Sequence, residues 1–277
     1  MQLRAPAKIN LSFRILGRRA DGFHEIETLM VPISLYDSLG ITRTAEAGTI
    51  DFSCDDPTLP TGDDNLVVRA ARIFMRAFGR EEGLRIALEK KIPHGAGLGG
   101  GSSDAATVLL GLNAFFDAQL PKEKLAELAA ELGADVPFFI FQSAAKCRGR
   151  GELVEPLALP APLRLLLLKP AFGVPTPWAY SRWQESKELP GVRYAGQCFG
   201  GLDFSNDLER PVFEKYLFLA RMKMWLLAQD EVVAAMLSGS GSTVFAVLCD
   251  SANAEALSIR AQAELDPELW TCACETL

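Results

Sequence analysis

The chain is poor in residues that bind transition metals. Among 277 residues there are two histidines, His24 and His94, and six cysteines. Cys54, Cys147, Cys198, Cys249, Cys272 and Cys274 form no Cys-x-x-Cys pair, so a zinc site is not expected. Reduced thiols packed as small apolar side chains are. Excess positive charge is also missing: 28 Lys and Arg against 35 Asp and Glu leave a net −7. Binding to nucleic acid needs a basic face for phosphate contacts, so no nucleic-acid partner is expected. A small phosphorylated ligand needs only a local positive site. No apolar run approaches the roughly 18 residues of a membrane span; the longest centres on Leu165 to Leu168. No apolar stretch follows the charge at Arg4, as a secretory signal would require. The expectation is a cytoplasmic protein without a membrane partner, as monomer or homodimer. Its 49% hydrophobic content is enough to build a sizeable core.

The pattern along the chain is mixed. Ala7, Ile9, Leu11, Phe13 and Ile15 alternate with Lys8, Asn10, Ser12 and Arg14, which predicts a half-buried strand. A turn over 17–22 follows, then short strands over 27–31 and 37–42. Leu66, Ala70, Ile73, Phe74 and Ala77 share one face of a helix over 65–78, and 84–88 reads as a strand. Pro121 is read as opening a helix with the stripe Leu125, Leu128, Ala129 and Leu132, ended by Gly133. Pro156, Pro160 and Pro162 mark a composition shift, so we expect two domains, 1–158 and 159–277. The second half reads as strands over 163–169, 243–248 and 270–274 with helices near 207–218, 222–227 and 251–264. Met236 and Leu237 read as a helix end. Strands and helices without regular alternation predict an α+β fold.

Two glycine loops carry the chemistry. Five of the seven residues from Gly95 to Gly101 are glycine. The string fits G-x-G-x-x-G but lies mid-chain, after Ile92-Pro93, so it is a poor dinucleotide fingerprint. It lacks the Lys of a Walker A loop. Such a backbone still comes close to a ligand and aims successive N–H groups at it. Ser102, Ser103 and Asp104 are then expected to open a helix whose positive end favours an anion. A tight turn before a capped helix, with Asp104 serving only the dipole, explains the same residues. The second loop, Ser238-Gly-Ser-Gly-Ser242, strengthens the case for a polyphosphate ligand.

The loop from Pro93 to Ala106 resembles the ATP loop of the GHMP kinases, the family of galactokinase, homoserine kinase and mevalonate kinase. Pro6-Ala-Lys-Ile-Asn-Leu11, Gly17-x-Arg-x-Asp-Gly-Phe-His24 and Leu132-Gly-Ala-Asp-Val-Pro-Phe-Phe139 resemble the signatures of the branch acting on a cytidyl-linked sugar alcohol. Ser238 to Thr243 resembles the third family motif. The resemblance implies a two-domain fold: a ribosomal-S5-like N-terminal α+β domain, an α/β C-terminal domain and a cleft between them. It also implies transfer of the γ-phosphoryl group of ATP to an alcohol, in a non-mevalonate route to isoprenoid precursors. Another alcohol, homoserine-like or mevalonate-like, and a nucleotide-binding module without catalysis are the competing readings.

Residue by residue, the resemblance makes Asp135 the catalytic aspartate and Lys8 the catalytic lysine. An aspartate is a weak base at neutral pH, which suffices for a loose transition state. The competing local reading makes Asp135 a helix cap. The ATP site would comprise Pro93, His94, Gly95, Ala96, Gly97 and Leu98, then Gly99, Gly100, Gly101, Ser102 and Ser103. Asn65 and Leu66 would line the adenine pocket, although an N-cap and a core residue are equally natural there. Magnesium would arrive with ATP, touching Ser103. Asn10 would meet the substrate. Phe23 and His24 would hold cytosine, with Phe23 standing where the family usually has Tyr. Thr176 and Tyr180 would supply the opposite wall, with Trp178 a rival for Tyr180. Gly239, Ser240 and Gly241 would line the cleft on the substrate-phosphate side.

Overall fold

Two long antiparallel strands open the chain, and the rest is built on them. In the computed structural model, which describes residues 1–277, β1 spans Gln2–Arg18 and β2 His24–Thr44. The alternation predicted around Ala7 to Ile15 holds, because every odd side chain there is buried. The even face is solvated only toward its far end, where Arg14 is exposed; Lys8 and Asn10 are buried too.

In place of the two short strands expected, β2 runs on unbroken through Pro32. Its first part, Ile26 to Met30, pairs with β5 (Ala145–Gly149), and its last, Ser38 to Thr44, with β4 (Gly83–Glu89). Pro32 falls between them, opposite Lys8 of β1, whose N–H donates to Leu98 O instead; the Pro32 backbone faces the other edge, where its C=O accepts from Leu277 N, so its missing N–H breaks no bond to β1. The first sheet is completed by β3 (Ile50–Cys54), β6 (Leu153–Pro156), β8 (Gln197–Phe199) and β9 (Leu202–Asn206). Its main order is β3-β4-β2-β1-β9-β8, with β5 and β6 branching from β2.

Four helices cover one side of this sheet: α1 (Leu66–Phe78), α2 (Gly100–Phe115), α3 (Lys122–Ala130) and α4 (Val136–Phe141). Pro121 caps α3 rather than opening it, and α3 stops at Ala130, before Gly133. The second sheet is antiparallel, in the order β10-β11-β7-β12, from β7 (Arg164–Lys169), β10 (Val232–Leu237), β11 (Val244–Leu248) and β12 (Trp270–Glu275). Met236 and Leu237 thus end a strand, not a helix. A six-residue apolar run has no decisive period, and pairing with β11 settles it. The second sheet packs against α5 (Thr176–Arg182), α6 (Glu209–Lys215), α7 (Leu217–Leu227) and α8 (Ala254–Glu264).

A third apolar cluster joins the sheets: Ala7, Ile9 and Leu11 of β1 and Val31 and Ile33 of β2 meet Leu165 and Leu167 of β7 and Phe245 of β11. The position 158/159 falls between β6 and β7, yet β8 and β9, from the second half, return to the first sheet. The mixed composition and two sheets match the expected two-part α+β architecture.

Candidate functional site

Two cavities meet beside the glycine loop. The first, a cleft of about 410 Å³, is walled by the loop, by Asn65 and Leu66 at the start of α1, and by Lys8, Asn10, Gly239 and Ser240. The second, about 830 Å³, is walled by Phe23, His24, Arg18 and Arg150. Ser102, Asp135, Thr176 and Tyr180 line both, so they stand at the junction.

The loop is shaped by its glycines. Gly95, Gly97 and Gly99 have φ of 64°, 77° and 69°, in the left-handed region. At Gly97 a Cβ would lie 2.1 Å from the Ser238 carbonyl oxygen, so the two glycine loops touch there. The N–H groups of Gly95, Ala96, Gly97, Leu98 and Gly99 donate to no protein acceptor, which leaves a row of donors suited to an anion. Pro93, His94, Gly100, Gly101 and Ser102 also line the cleft.

The predicted helix start is corrected. Gly99 is the N-cap of α2, and Ser102, Ser103 and Asp104 lie inside its first turns. A left-handed glycine begins the helix before the serines are reached, and Ser103 N–H donates to Gly99 O at 2.9 Å. Ser103 is fully buried, its hydroxyl has no partner, and it lines neither cavity. Ser102 is the serine at the junction. Asp104 does more than serve the dipole: Lys90 Nζ donates to its Oδ2 at 2.8 Å and also to Asp37. Asp37 in turn accepts from Ile92 N at 2.8 Å, which ties both ends of the loop to β2. Burial raises the Asp104 carboxyl to about 7; the Lys90 ammonium opposes this and Asp37 adds to it. Sequence reasoning missed Lys90 and Asp37, since nothing local links residues 37, 90 and 104.

Lys8 and Asp135 are brought together as predicted, with Lys8 Nζ 3.8 Å from Asp135 Oδ2. Lys8 also donates to Asn10 Oδ1 at 2.7 Å and Gly97 O at 3.0 Å. Burial lowers its pKa below the usual lysine value, with Asp135 opposing. Asn10 is held in turn by Thr28 at 2.8 Å. Asp135 occupies the N-cap position of α4, yet its side chain makes no capping bond. The carboxylate is therefore free to face Lys8 and the junction. Gly151 packs beside it, where a Cβ would lie 3.4 Å from Asp135 Oδ1.

In the second cavity His24 and Tyr180 are in ring contact, centroids 5.2 Å apart. Burial and the nearby Arg18 hold the His24 imidazole below its usual pKa. Burial, helped by Asp135, pushes the Tyr180 phenol up. Phe23 is 54% exposed and carries the Arg150 guanidinium 4.9 Å from its ring centroid. Arg18 and Arg150 are the cations lining this cavity, and no local pattern flagged either. Trp178 lines neither cavity; it packs against Tyr216 and under Lys215. Thr176 shares a hydrogen bond of 2.7 Å with Ser240. Gly239 and Ser240 line the cleft, but Gly241 does not, being packed against Leu237. Asn65 is both things anticipated for it: it caps α1 through Val67 N at 2.9 Å and it lines the cleft. Leu66 lines it too.

A partly open carboxylate faces a buried ammonium where two cavities meet, one of them rimmed by free N–H donors. That geometry suits passing an anionic group from a ligand in one cavity to a ligand in the other. No group of three potential metal ligands exists. The oxygens lining the cleft fit at most an ion carried in by a ligand's phosphates, since magnesium needs few protein ligands in that setting.

The comparisons with known proteins agree. The family model "GHMP kinases N terminal domain" matches residues 65–143. A 4-diphosphocytidyl-2-C-methyl-D-erythritol kinase of Methylacidiphilum infernorum is 44% identical over 99% of this chain and 96% of its own. One from Chlorobium chlorochromatii is 40% identical over 92% and 91%. Among solved structures, a 4-(cytidine 5'-diphospho)-2C-methyl-D-erythritol kinase superposes with a TM-score of 0.80 at 36% identity, covering 100% of this chain and 99% of that one. A homoserine kinase from Cytophaga hutchinsonii shares the fold, with a TM-score of 0.74 at 19% identity over 100% and 94%.

Proposed function

Because this chain belongs to the GHMP kinase family, within its 4-diphosphocytidyl-2-C-methyl-D-erythritol kinase branch, we infer that it transfers the γ-phosphoryl group of ATP to the 2-hydroxyl of that cytidyl alcohol. The products are the 2-phosphate and ADP, on the methylerythritol route to isopentenyl diphosphate. The observation that carries the site assignment is Asp135 at the junction of the two cavities, facing Lys8. ATP occupies the first cavity, its adenine near Asn65 and Leu66 and its phosphates on the loop's free N–H groups. The cytidyl substrate occupies the second, its base beside Phe23, His24 and Tyr180. The Arg18 and Arg150 guanidiniums offset the charge of its diphosphate.

Asp135 accepts a hydrogen bond from the substrate hydroxyl and takes its proton as the phosphoryl group transfers. Because that transition state is loose, positioning matters more than base strength. Lys8 faces the Asp135 carboxylate and offsets charge on the moving group. A magnesium ion carried in with ATP would offset phosphate charge, and Ser102, which lines the cleft, would be the hydroxyl to hold it rather than Ser103, which does not. Working with ATP on a small soluble substrate, the enzyme belongs in the cytoplasm.

The test is ADP release with magnesium-ATP, comparing the cytidyl substrate with the same alcohol lacking CMP. Turnover of the cytidyl substrate alone is the expected result. Equal turnover of both would remove the base pocket from the assignment, and turnover of neither would remove the kinase activity.

The buried ammonium also sets a pH limit. Deprotonating Lys8 removes its charge, so kcat should fall as pH rises through its lowered pKa. The alkaline limb should therefore lie below the usual lysine value of about 10.4. In Lys8→Arg, which stays charged, a residual rate should show no such limb. A limb that persists unchanged in Lys8→Arg would assign the titration to another group.

A further inference from the structure

We propose that Asn206 is a positioning residue for phosphoryl transfer, aiming the Ser240 N–H into the cleft as an anion donor; this rests on the kinase reading above. Asn206 ends β9 and begins the strap Asn206-Asp-Leu-Glu209, each polar side chain of which is hydrogen-bonded to backbone outside the strap. Asn206 Nδ2 donates to Leu237 O at 2.9 Å and to Gly239 O at 2.7 Å, while its Oδ1 accepts from Leu208 N at 2.9 Å. Asp207 turns the other way: its Oδ2 accepts from Ile15 N at 2.7 Å and its own N–H donates to Phe13 O at 2.9 Å. Glu209 accepts from Leu237 N at 3.0 Å and from the buried Lys223 at 2.6 Å. The strap thus ties β1, which carries Lys8, to the end of β10, where the second glycine loop starts.

β10 is an edge of the second sheet. Its outward backbone groups are paired by side chains instead of a strand. Gln197 takes both groups of Ala235, at 2.9 and 3.1 Å, and Asn206 and Glu209 take those of Leu237. Asn206 alone reaches past the strand into the loop.

That reach has a consequence for the cleft. The Gly239–Ser240 peptide is trans, so its C=O and N–H point in opposite directions. With the Gly239 carbonyl held by buried Asn206, the Ser240 N–H points away from Asn206. It donates to no protein acceptor, and Ser240 lines the cleft whereas Asn206 does not. At Gly239 a Cβ would lie 3.2 Å from Asn10 Oδ1 and 3.4 Å from Lys8 Nζ. Gly239, whose carbonyl Asn206 holds, therefore lies beside the ammonium that faces Asp135, and the N–H of the same peptide is fixed with it at the cleft wall. A donor held in place before the reaction needs no reorganisation during it.

The experiment compares Asn206→Asp with Gln197→Ala, measuring kcat, both KM values and the thermal midpoint. Asn206→Asp keeps size and the acceptor for Leu208 N but loses both donated bonds. Gln197→Ala loses two bonds to the same strand and none to the loop. We expect Asn206→Asp to lower kcat by roughly 10²-fold, the scale of one lost oxyanion donor, with KM values little changed. Gln197→Ala should lower the midpoint while leaving kcat near wild type. Should Asn206→Asp fail to fold, Asn206→Ser, uncharged and too short to reach both carbonyls, carries the same comparison. An undiminished kcat in a folded Asn206 variant, or equal losses at 197 and 206, overturns the proposal. Wild-type turnover is measured first: an inactive wild type overturns the kinase reading and this proposal with it, whereas an active wild type with an undiminished variant overturns this proposal alone.

Discussion

Asp135→Asn should lower kcat by roughly 10²–10⁴-fold, the usual contribution of a positioned general base. Asparagine keeps the size of the side chain and one acceptor oxygen, so the substrate hydroxyl can still be oriented. It cannot take the proton, and it no longer balances the Lys8 charge 3.8 Å away. The fold should be little affected. Asp135 is 36% exposed and makes no capping bond, and Lys8 keeps its bonds to Asn10 and Gly97. A stability change within about 1 kcal/mol is expected, a midpoint shift of roughly 2–4 °C. Nucleotide binding, followed by titration with a fluorescent ATP analogue, should persist, because the loop N–H groups and the α1 end of the cleft are untouched. A variant that turns over at the wild-type rate would move the base elsewhere in the junction. One that loses nucleotide binding and stability together would make Asp135 a structural cap after all.

Gly97→Ala is the second large effect, and it acts through shape. The left-handed backbone at φ 77° penalises any Cβ, and a methyl there would sit 2.1 Å from the Ser238 carbonyl oxygen. Backbone strain and overpacking together cost about 3 kcal/mol. Relief requires the two glycine loops to separate. That shifts the Gly97 carbonyl that accepts from Lys8 and the Ser238 hydroxyl that donates to Gly97 O at 3.0 Å. A displacement of about 1 Å at the reacting centre can cost 10²-fold. Both a lower thermal midpoint and a loss of kcat/KM of about that size are therefore expected. Gly101→Ala is the matched control: its nearest neighbour to a Cβ is Leu66, at an ordinary 3.8 Å. Equal behaviour of the two variants would show that loop composition, not the contact at Gly97, matters.

Residues whose chemistry is local are legible in the amino-acid sequence. The glycine loop, Lys8 on an alternating strand, and Asp135 behind Gly133 lie in contiguous strings, and the strings imply their roles. Their surroundings are not legible in the same way. Lys8 sits on the side of β1 that alternation alone assigns to solvent, and it is buried because the loop at Gly97 to Gly99 folds over it. The serines after the loop look like caps, but a left-handed Gly99 starts α2 first, so Ser103 ends buried and only Ser102 reaches the junction.

Family resemblance and local pattern together determined the α+β class and singled out the glycine loop and the pair Lys8 and Asp135, because those depend on spacings of a few residues and on side-chain type. Tertiary structure put the expected Tyr180, and not its rival Trp178, on the cavity wall, and extended β2 through Pro32. It also joined Asp37, Lys90 and Asp104, and ran the Asn206 strap between the sheets. Each of these is set by pairings between segments tens to nearly two hundred residues apart. Local sequence does not encode which distant groups a buried carboxylate or amide will find; closing the sheets does, since burial leaves each such group stable only with a partner.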